Sequence, residues 1–305
     1  MLEAAAAYEP TTPLRWLTES LESGFRYSIL SSRKLSQFRS AYQEVEVHDS
    51  VSFGRVLRLD GALMTSEKDE FFYHENLVHV PACTHPSPVS ALIIGGGDGG
   101  AAEELLKHNS ITKVTLVEID QAVLDMARQY LRGVHHGVID VQGGDPRLQV
   151  VVADGWDYLR RSNEMFDLII LDLTDPIGAA RPLYTPAFYQ SCATHLNPGG
   201  ALSLHIASPV AQPERVFNTL TNLCKAFHVV RPYLVSVPLS GGPWMMACAS
   251  DSLDPSTQSP RHIDEVLVSR GISNLQYYNG HMHQAAMALP NYLRYAVASS
   301  GARCV

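Results

Sequence analysis

The spacing of apolar residues divides the chain. Between Phe25 and about Thr65, apolar and polar residues alternate. In YQEVEVHDSVSFGRVLRLDG, Val45 and Val47 lie two apart, and Val56 and Leu57 with their flanks follow a break at Phe53-Gly54. A period of two sends successive side chains to opposite faces of a strand, so this stretch predicts antiparallel strands in a small β domain. EKDEFFYHENLVHVPAC then predicts a helix, with acidic residues in the first turn where the helix dipole favours them. From about Ser87 the pattern changes again. VSALIIGGGDGG, KVTLVEID, LQVVVADG, FDLIILDLTDP and GALSLHIASP are short apolar runs closed by polar or turn residues, and AAEELLKHN and QAVLDMARQYL have helical spacing. Strands alternating with helices predict βαβ units and a mostly parallel α/β sheet. The expected domains are therefore an N-terminal extension over 1–24, containing the alanine run Ala4 to Ala7, a β domain over 25–68, and an α/β domain over 69–305.

In such a sheet ligands sit at the carboxyl ends of the strands. Acids stand at or beyond those ends here: Asp98, Glu118, Asp154 and Asp172. Gly95-Gly96-Gly97-Asp98-Gly99-Gly100 follows a strand and precedes a helix, the context a nucleotide loop requires. Gly95 and Gly97 are candidates for close backbone approach to a ligand. Glu118, twenty-three residues past Gly95, is placed to accept hydrogen bonds from two ribose hydroxyls. These features alone leave a nicotinamide enzyme and a nucleoside-binding transferase both open, with a purely structural glycine turn as the bland alternative.

Asp98 narrows the choice. A carboxylate in a phosphate-cradling loop repels a pyrophosphate, and suits a ligand with a cationic tail and no phosphate. Asp154-Gly155 is either a turn or an acceptor for an adenine amino group. In Asp172-Leu173-Thr174-Asp175-Pro176, Asp172 ends a wholly apolar strand and emerges at the rim. A general base for an amine belongs in such a place, because a primary amine is protonated at neutral pH and cannot attack carbon until it loses that proton. Asp175 is placed to hold another part of the same cation; the alternative is a capping pair.

Composition fits this direction. The 305 residues are 46% hydrophobic and 18% charged, enough apolar material for a large core and too little charge for disorder. With 23 basic and 31 acidic residues the net charge is −8, which disfavours non-specific nucleic-acid binding and attracts cations. There is no apolar run of membrane-spanning length, and no basic stretch leading into an apolar one at the start, so neither a membrane anchor nor a secretory signal is expected. Cys83, Cys192, Cys224, Cys248 and Cys304 show no paired spacing, which points to a reducing cytoplasm. His135, His136, His281 and His283 join no zinc-like set, so no metal is expected. Trp156 and Tyr158 read as packing residues.

From about Phe25 to Leu293 the chain resembles the polyamine aminopropyltransferases, the spermidine synthase family. The matching segments are GRVLRLDGALMTSEKDEFFYHE, ALIIGGGDGGAAEELLKH, VTLVEID, Asp154-Gly155, DLTDPIG, LYTPAFY, LNPGG and YYNGHMHQAAMALP. The resemblance implies a small N-terminal β domain on a Rossmann-like domain of the class I methyltransferase type, assembled as a homodimer or homotetramer. It implies transfer of an aminopropyl group from decarboxylated S-adenosylmethionine, a co-substrate rather than a cofactor, to a di- or polyamine, with release of methylthioadenosine. By position, Gln43, Glu118, Asp154 and Gly155 would bind the nucleoside, Asp98 would hold the aminopropyl ammonium and His74 would line the same cavity. Tyr73 and Asp175 would contact the acceptor, Asp172 would be the catalytic carboxylate, and Thr174 to about Tyr184 would form a gate.

Three departures cluster at the acceptor end. The family's Pro-Thr-Tyr-x-x-Gly segment is VPLSGGPW here, from Val237 to Trp244, without a tyrosine; Trp244 then becomes a candidate acceptor contact. A glutamine of the family is His205. The gate reads Gly178-Ala179-Ala180-Arg181 instead of Gly-Pro-(Ala/Gly)-Glu. The Leu-Ser-Gly-Gly-Pro-Trp stretch and the Asp-Leu-x-Asp-Pro form look more like thermospermine synthase-type members, which use spermidine, so spermidine, putrescine, cadaverine or another amine all stand as acceptors. Arg181 leaves three expectations: it faces solvent, it pairs with a site carboxylate, or it meets an acceptor that carries a carboxylate. The competing functions are another S-adenosylmethionine-type transferase, a non-catalytic polyamine or methylthioadenosine sensor, and a nicotinamide dehydrogenase.

Overall fold

The computed structural model describes residues 14–299. The alanine run and Cys304 lie outside the described residues. Five strands come first: β1 (Arg15–Glu22), β2 (Phe25–Arg39), β3 (Glu44–Ser50), β4 (Gly54–Leu59) and β5 (Ala62–Ser66). They pair antiparallel in chain order. The β4–β5 hairpin turns on Asp60 (φ 46°) and Gly61 (φ 90°), with Leu59 opposite Ala62. Positive φ at both residues of a two-residue loop matches the twist of the flanking strands, and Asp-Gly tolerates it.

β1 occupies residues that the apolar pattern assigns to an extension. Leu17, Glu19 and Leu21 alternate onto one face, where Leu17 and Leu21 are buried. The acid in the middle of that face breaks the alternation that would reveal the strand. Its side chain faces the cavity described below.

α1 (Glu70–Thr84) follows, buried along nearly its whole length with Pro81 inside it. The rest builds one sheet and its covering helices: β6 (Ser90–Gly95), α2 (Gly100–Leu106), β7 (Lys113–Glu118), α3 (Gln121–Tyr130), α4 (Arg132–His135), β8 (Leu148–Val152), α5 (Gly155–Arg161), β9 (Phe166–Asp172), α6 (Pro186–Thr194), β10 (Leu196–Ala207), α7 (Pro213–Leu223), β11 (Val229–Val237), β12 (Gly242–Ser250), α8 (Pro260–Ser269), α9 (Gly280–Met287) and α10 (Asn291–Ser299). The strand order is β11-β12-β10-β9-β6-β7-β8. β8, β7, β6, β9 and β10 run parallel, and β12 is antiparallel to both of its neighbours. The fold is thus a Rossmann-like, mostly parallel sheet with a small antiparallel sheet before it.

Both faces of the large sheet are covered. Along β6, Ala91 and Ile93 enter one core, with α1 and α2, while Leu92 and Ile94 enter the other, with α6 and α7. This is the two-residue period of a strand buried on both sides. Chain order reverses at β6, whose neighbours are β7 and β9, and so a crevice opens at the carboxyl ends of β6 and β9. Among the described residues, no helix is long and apolar enough to cross a membrane.

Candidate active site

The sheet register sets the acids side by side. Asp172 ends β9 opposite Gly95 of β6, and Glu118 ends β7 opposite Val152 of β8, with Asp154 two residues on. A cavity of about 250 Å³ lies over this rim, between the two sheets. Gln43, Tyr73, His74, Gly95, Gly97, Asp98, Glu118, Asp154, Gly155, Asp172, Asp175 and Trp244 all line it. The candidate donor, acceptor and catalytic residues read from the sequence are therefore brought to one cavity, by α1, β6, β7, α5, β9, β12 and the loops between elements.

The glycine loop is shaped by what it must pass. Gly95 has φ 83°, and a Cβ there would sit 2.1 Å from the carbonyl oxygen of Asp172; at Gly96 (φ 68°) it would sit 2.9 Å from Asp172 Oδ2. Gly96 N–H donates to the Asp172 carbonyl at 2.8 Å. The loop thus seats Asp172 as well as leaving room for a ligand. Asp98 Oδ1 accepts from the Gly100 amide at 3.0 Å, which leaves Oδ2 pointing inward, 3.6 Å from His74 Nε2.

At the nucleoside end, Glu118 Oε1 accepts from the Asp120 amide at 2.8 Å, and burial raises its carboxyl to about 7. Gln43 arrives from the small sheet and donates to Asp120 Oδ2 at 3.1 Å, fastening the two sheets together at this point. Asp154 caps α5 by accepting from the Asp157 amide at 2.9 Å while also lining the cavity. It is both the turn and the candidate ligand residue.

The centre is an alternation of charges. His74, on α1, sits between Glu70 Oε2 at 2.8 Å, Asp98 Oδ2 at 3.6 Å and Asp172 Oδ2 at 3.8 Å. Burial alone would lower its pKa; the surrounding carboxylates, Asp98 foremost, raise it to about 10. Asp172 is pushed to about 6 by burial and by the charge of Asp98, against the pull of His74 and Tyr73. Tyr73 donates to its Oδ1 at 3.0 Å. Asp172 Oδ2 is buried with no hydrogen-bond donor. A buried acceptor without a partner is costly and calls for one.

At the acceptor end, Trp244 Nε1–H donates to His205 Nδ1 at 3.2 Å, and His205 Nε2 lies 2.7 Å from the Leu173 carbonyl. An indole can only donate, so Nδ1 carries a lone pair and Nε2 carries the hydrogen that Leu173 accepts. Burial, and then the nearby Arg215 charge, lower His205 to about 4, which keeps it neutral. Trp244 thus acts through His205 on the backbone just after Asp172. The segment expected to form the gate, from Thr174, ends in a 3-10 turn, Gly178–Tyr184, whose Tyr184 donates to the Thr174 carbonyl at 2.8 Å.

The pattern of the sequence missed several groups. Arg215, from the first turn of α7, pairs with Asp175 at 2.7 Å and lies over the Tyr184 ring at 5.6 Å. Arg181, whose sign change drew notice, is exposed and lies outside the cavity lining. Glu19 and Tyr27, paired across the β1–β2 hairpin, also line the cavity. Tyr27 OH and the Leu63 amide both donate to Glu19 Oε2, at 2.5 and 2.7 Å, and burial raises the Glu19 carboxyl. The Tyr27 ring lies on Gly241, where a Cβ would be 2.9 Å away. A tyrosine therefore does stand against the VPLSGGPW segment, supplied by the small sheet. Only the acid interrupting the β1 alternation signals this pair in advance.

Among the described residues two groups come within metal-binding distance of one another: His74, Asp98 and Asp172, and His79, Cys83 and His108. In the first, His74 is cationic and offers no lone pair. In the second, His79 bridges His108 and Glu104 at 2.9 Å each, and the other nitrogen of His108 meets Arg270 at 3.2 Å, so every ring nitrogen has a partner. His135 and His283 are buried in hydrogen bonds to the backbone or Tyr278. Trp156 stacks on Phe188 as a packing residue.

Comparison with known proteins bears on this arrangement. Residues 70–259 match the family model described as the spermine/spermidine synthase domain, and residues 15–67 match the spermidine synthase tetramerisation domain. A polyamine aminopropyltransferase of Nitrosomonas europaea is 45% identical over 276 residues, 90% of this chain and 84% of the relative. That of Moorella thermoacetica is 37% identical over 280 residues, covering 92% and 95%. Among solved structures, a spermidine synthase in complex with the transition-state analogue AdoDATO superposes with a TM-score of 0.86 at 35% identity, over 98% of this chain and 99% of that one. The spermidine synthase of Thermotoga maritima gives 0.83 at 33%, over 97% and 98%.

Proposed function

The chain belongs to the spermine/spermidine synthase family and is a polyamine aminopropyltransferase that uses decarboxylated S-adenosylmethionine, and on that premise we propose the division of labour in its cavity and the amine it accepts. Glu118 and Asp154, with Gln43 and the backbone at Gly97 and Gly155, receive the nucleoside. Asp98 receives the aminopropyl ammonium. A carboxylate in this place prefers a donor that has lost the methionine carboxylate, by simple charge. His74 balances Asp98 and Asp172 until the two cationic substrates arrive.

Asp172 is the base. Its buried Oδ2, left without a donor on a residue that lines the cavity, is the observation that carries the reading. An incoming ammonium donates to Oδ2, and Asp172 takes its proton. The freed nitrogen lone pair forms a bond to the methylene carbon next to the sulfonium, and the C–S electron pair returns to sulfur as neutral methylthioadenosine leaves. Tyr73 holds Asp172, and the gate excludes water; orientation and proton removal are the protein's main contributions.

The acceptor we propose is the diamine putrescine. With Asp175 occupied by Arg215, the acceptor end keeps two carboxylates for ammonium groups: Asp172 for the attacking nitrogen and Glu19, beside Tyr27, for the distal one. Asp69 is engaged on both oxygens, by Ser66 Oγ at 2.5 Å and the Leu239 amide at 2.7 Å. The test is turnover of decarboxylated S-adenosylmethionine with putrescine, cadaverine and spermidine in parallel, products separated by chromatography. Putrescine giving spermidine as the fastest reaction supports the reading; faster turnover of spermidine overturns it.

Assembly as a homodimer or homotetramer through the five-stranded sheet is supported by the family model that this sheet matches and by Trp16, 67% exposed on the edge strand β1. A cytoplasmic location is supported by Cys83, Cys192 and Cys248, all free thiols buried in the core.

A further inference from the structure

We infer that Arg215 sets acceptor preference by cancelling the charge of Asp175, so that a two-charge amine is favoured over a three-charge one; this rests on the acceptor-site reading above. The guanidinium sits 2.7 Å from Asp175 Oδ2, with side-chain exposures of 15% for the arginine and 26% for the aspartate. Among the described residues Asp175 is its one ion-pair partner: Nε and Nη2 are buried without hydrogen-bond acceptors, and the guanidinium lies over the Tyr184 ring. Tyr184 is itself tied to the Thr174 carbonyl, next to Asp175. Arg215 does not line the cavity, whereas Asp175 does. The arginine therefore changes the charge of the acceptor end without taking up the room in which an amine lies.

The consequence is a matter of counting charges. A diamine places one ammonium at Asp172 and one at Glu19. A triamine brings a third ammonium, which is desolvated on entry and finds Asp175 already neutralised. An unpaired buried charge is the costly case. Removing the arginine returns Asp175 to the cavity as a third anion and relieves that cost for the triamine alone.

The experiment compares kcat/KM for putrescine and spermidine in wild type, Arg215→Met, Arg215→Lys and the double variant Arg215→Met with Asp175→Asn. Methylthioadenosine binding serves as the check that each is folded. Arg215→Met is expected to move the spermidine-to-putrescine ratio up by about tenfold or more, the scale of one charge contact. Arg215→Lys keeps the cation and stays near the wild-type ratio, and the double variant loses the gain. Arg215→Gln, which leaves a planar group over Tyr184, makes the same comparison if the methionine variant does not fold. An unchanged ratio, an equal change for both amines, or a gain that survives Asp175→Asn overturns the inference. The wild-type ratio tests the acceptor and the change on substitution tests Arg215, so either can fail without the other.

Discussion

The proposed role of Asp172 as the base rests on where its two oxygens lie. Oδ1 is fixed by the Tyr73 hydroxyl at 3.0 Å, and Oδ2 is buried 3.8 Å from His74 Nε2 with no hydrogen-bond donor among the described residues. Asp172→Asn removes the base and keeps the shape, so kcat is expected to fall by about 100-fold or more. Methylthioadenosine affinity measured by calorimetry should stay near wild type; turnover near wild type would refute the role. The same residue predicts a pH dependence. Burial and the charge of Asp98 hold the Asp172 carboxyl up at about 6, and only its ionised form accepts a proton. As pH falls through about 6 the carboxylate is lost, so kcat/KM should decline about tenfold per unit below that point and level off above it. His74, held near 10, stays cationic across this range and adds no second limb there. Absence of this acid limb in the pH profile would place the base elsewhere.

Among the elements, the start of α2 is tightly constrained by a site residue. A Cβ at Gly100 would lie 2.2 Å from His74 Cε1, and the ring cannot retreat because Glu70 holds its other side at 2.8 Å. Gly100→Ala should therefore cost about 1–3 kcal/mol of stability, as overpacking does. Unlike an ordinary core change, it should also weaken methylthioadenosine binding by turning His74 and the Asp98 loop. Thermal unfolding and a binding titration check the two effects; a stable variant with unchanged affinity would mean the helix start moves freely. The elements differ in how plainly they are written in the chain. β6, β7 and β9 are mostly apolar runs closed by polar or turn residues and are readable as buried parallel strands. β1 is not, because Glu19 faces the cavity from the position where an apolar residue would complete the pattern. A site residue displaces the signal of the strand that carries it.

For the molecule as a whole, the small sheet serves two surfaces. One face supplies Gln43, Glu19 and Tyr27 to the cavity, and its edge carries Trp16 into solvent. A large exposed aromatic on an unpaired edge strand suits a contact between copies. Sedimentation should give a mass that is a multiple of the 33.5 kDa chain, and Trp16→Ala should weaken association by about 2 kcal/mol, the scale of an interface hot spot. A monomer at micromolar concentration in the unaltered protein would overturn this.

The sequence alone determined the sheet class and the rim of acids. Strand periodicity and the turn residues that close each run are local properties, and a parallel sheet carries the end of every strand to one edge. The shared rim of Asp98, Glu118, Asp154 and Asp172 follows from that rule. The proposed acceptor end was decided by tertiary structure. Its charge balance depends on Arg215 meeting Asp175 across forty residues, on Tyr27 reaching Gly241 from another sheet, and on Trp244 setting the tautomer of His205. These are contacts between side chains far apart in the chain, with no period or spacing to record them. Arg181 stood beside the gate in sequence and turned outward, while Arg215, thirty-four residues on, turned in. Whether a charge counts at a site depends on burial and distance, and only the folded chain has either.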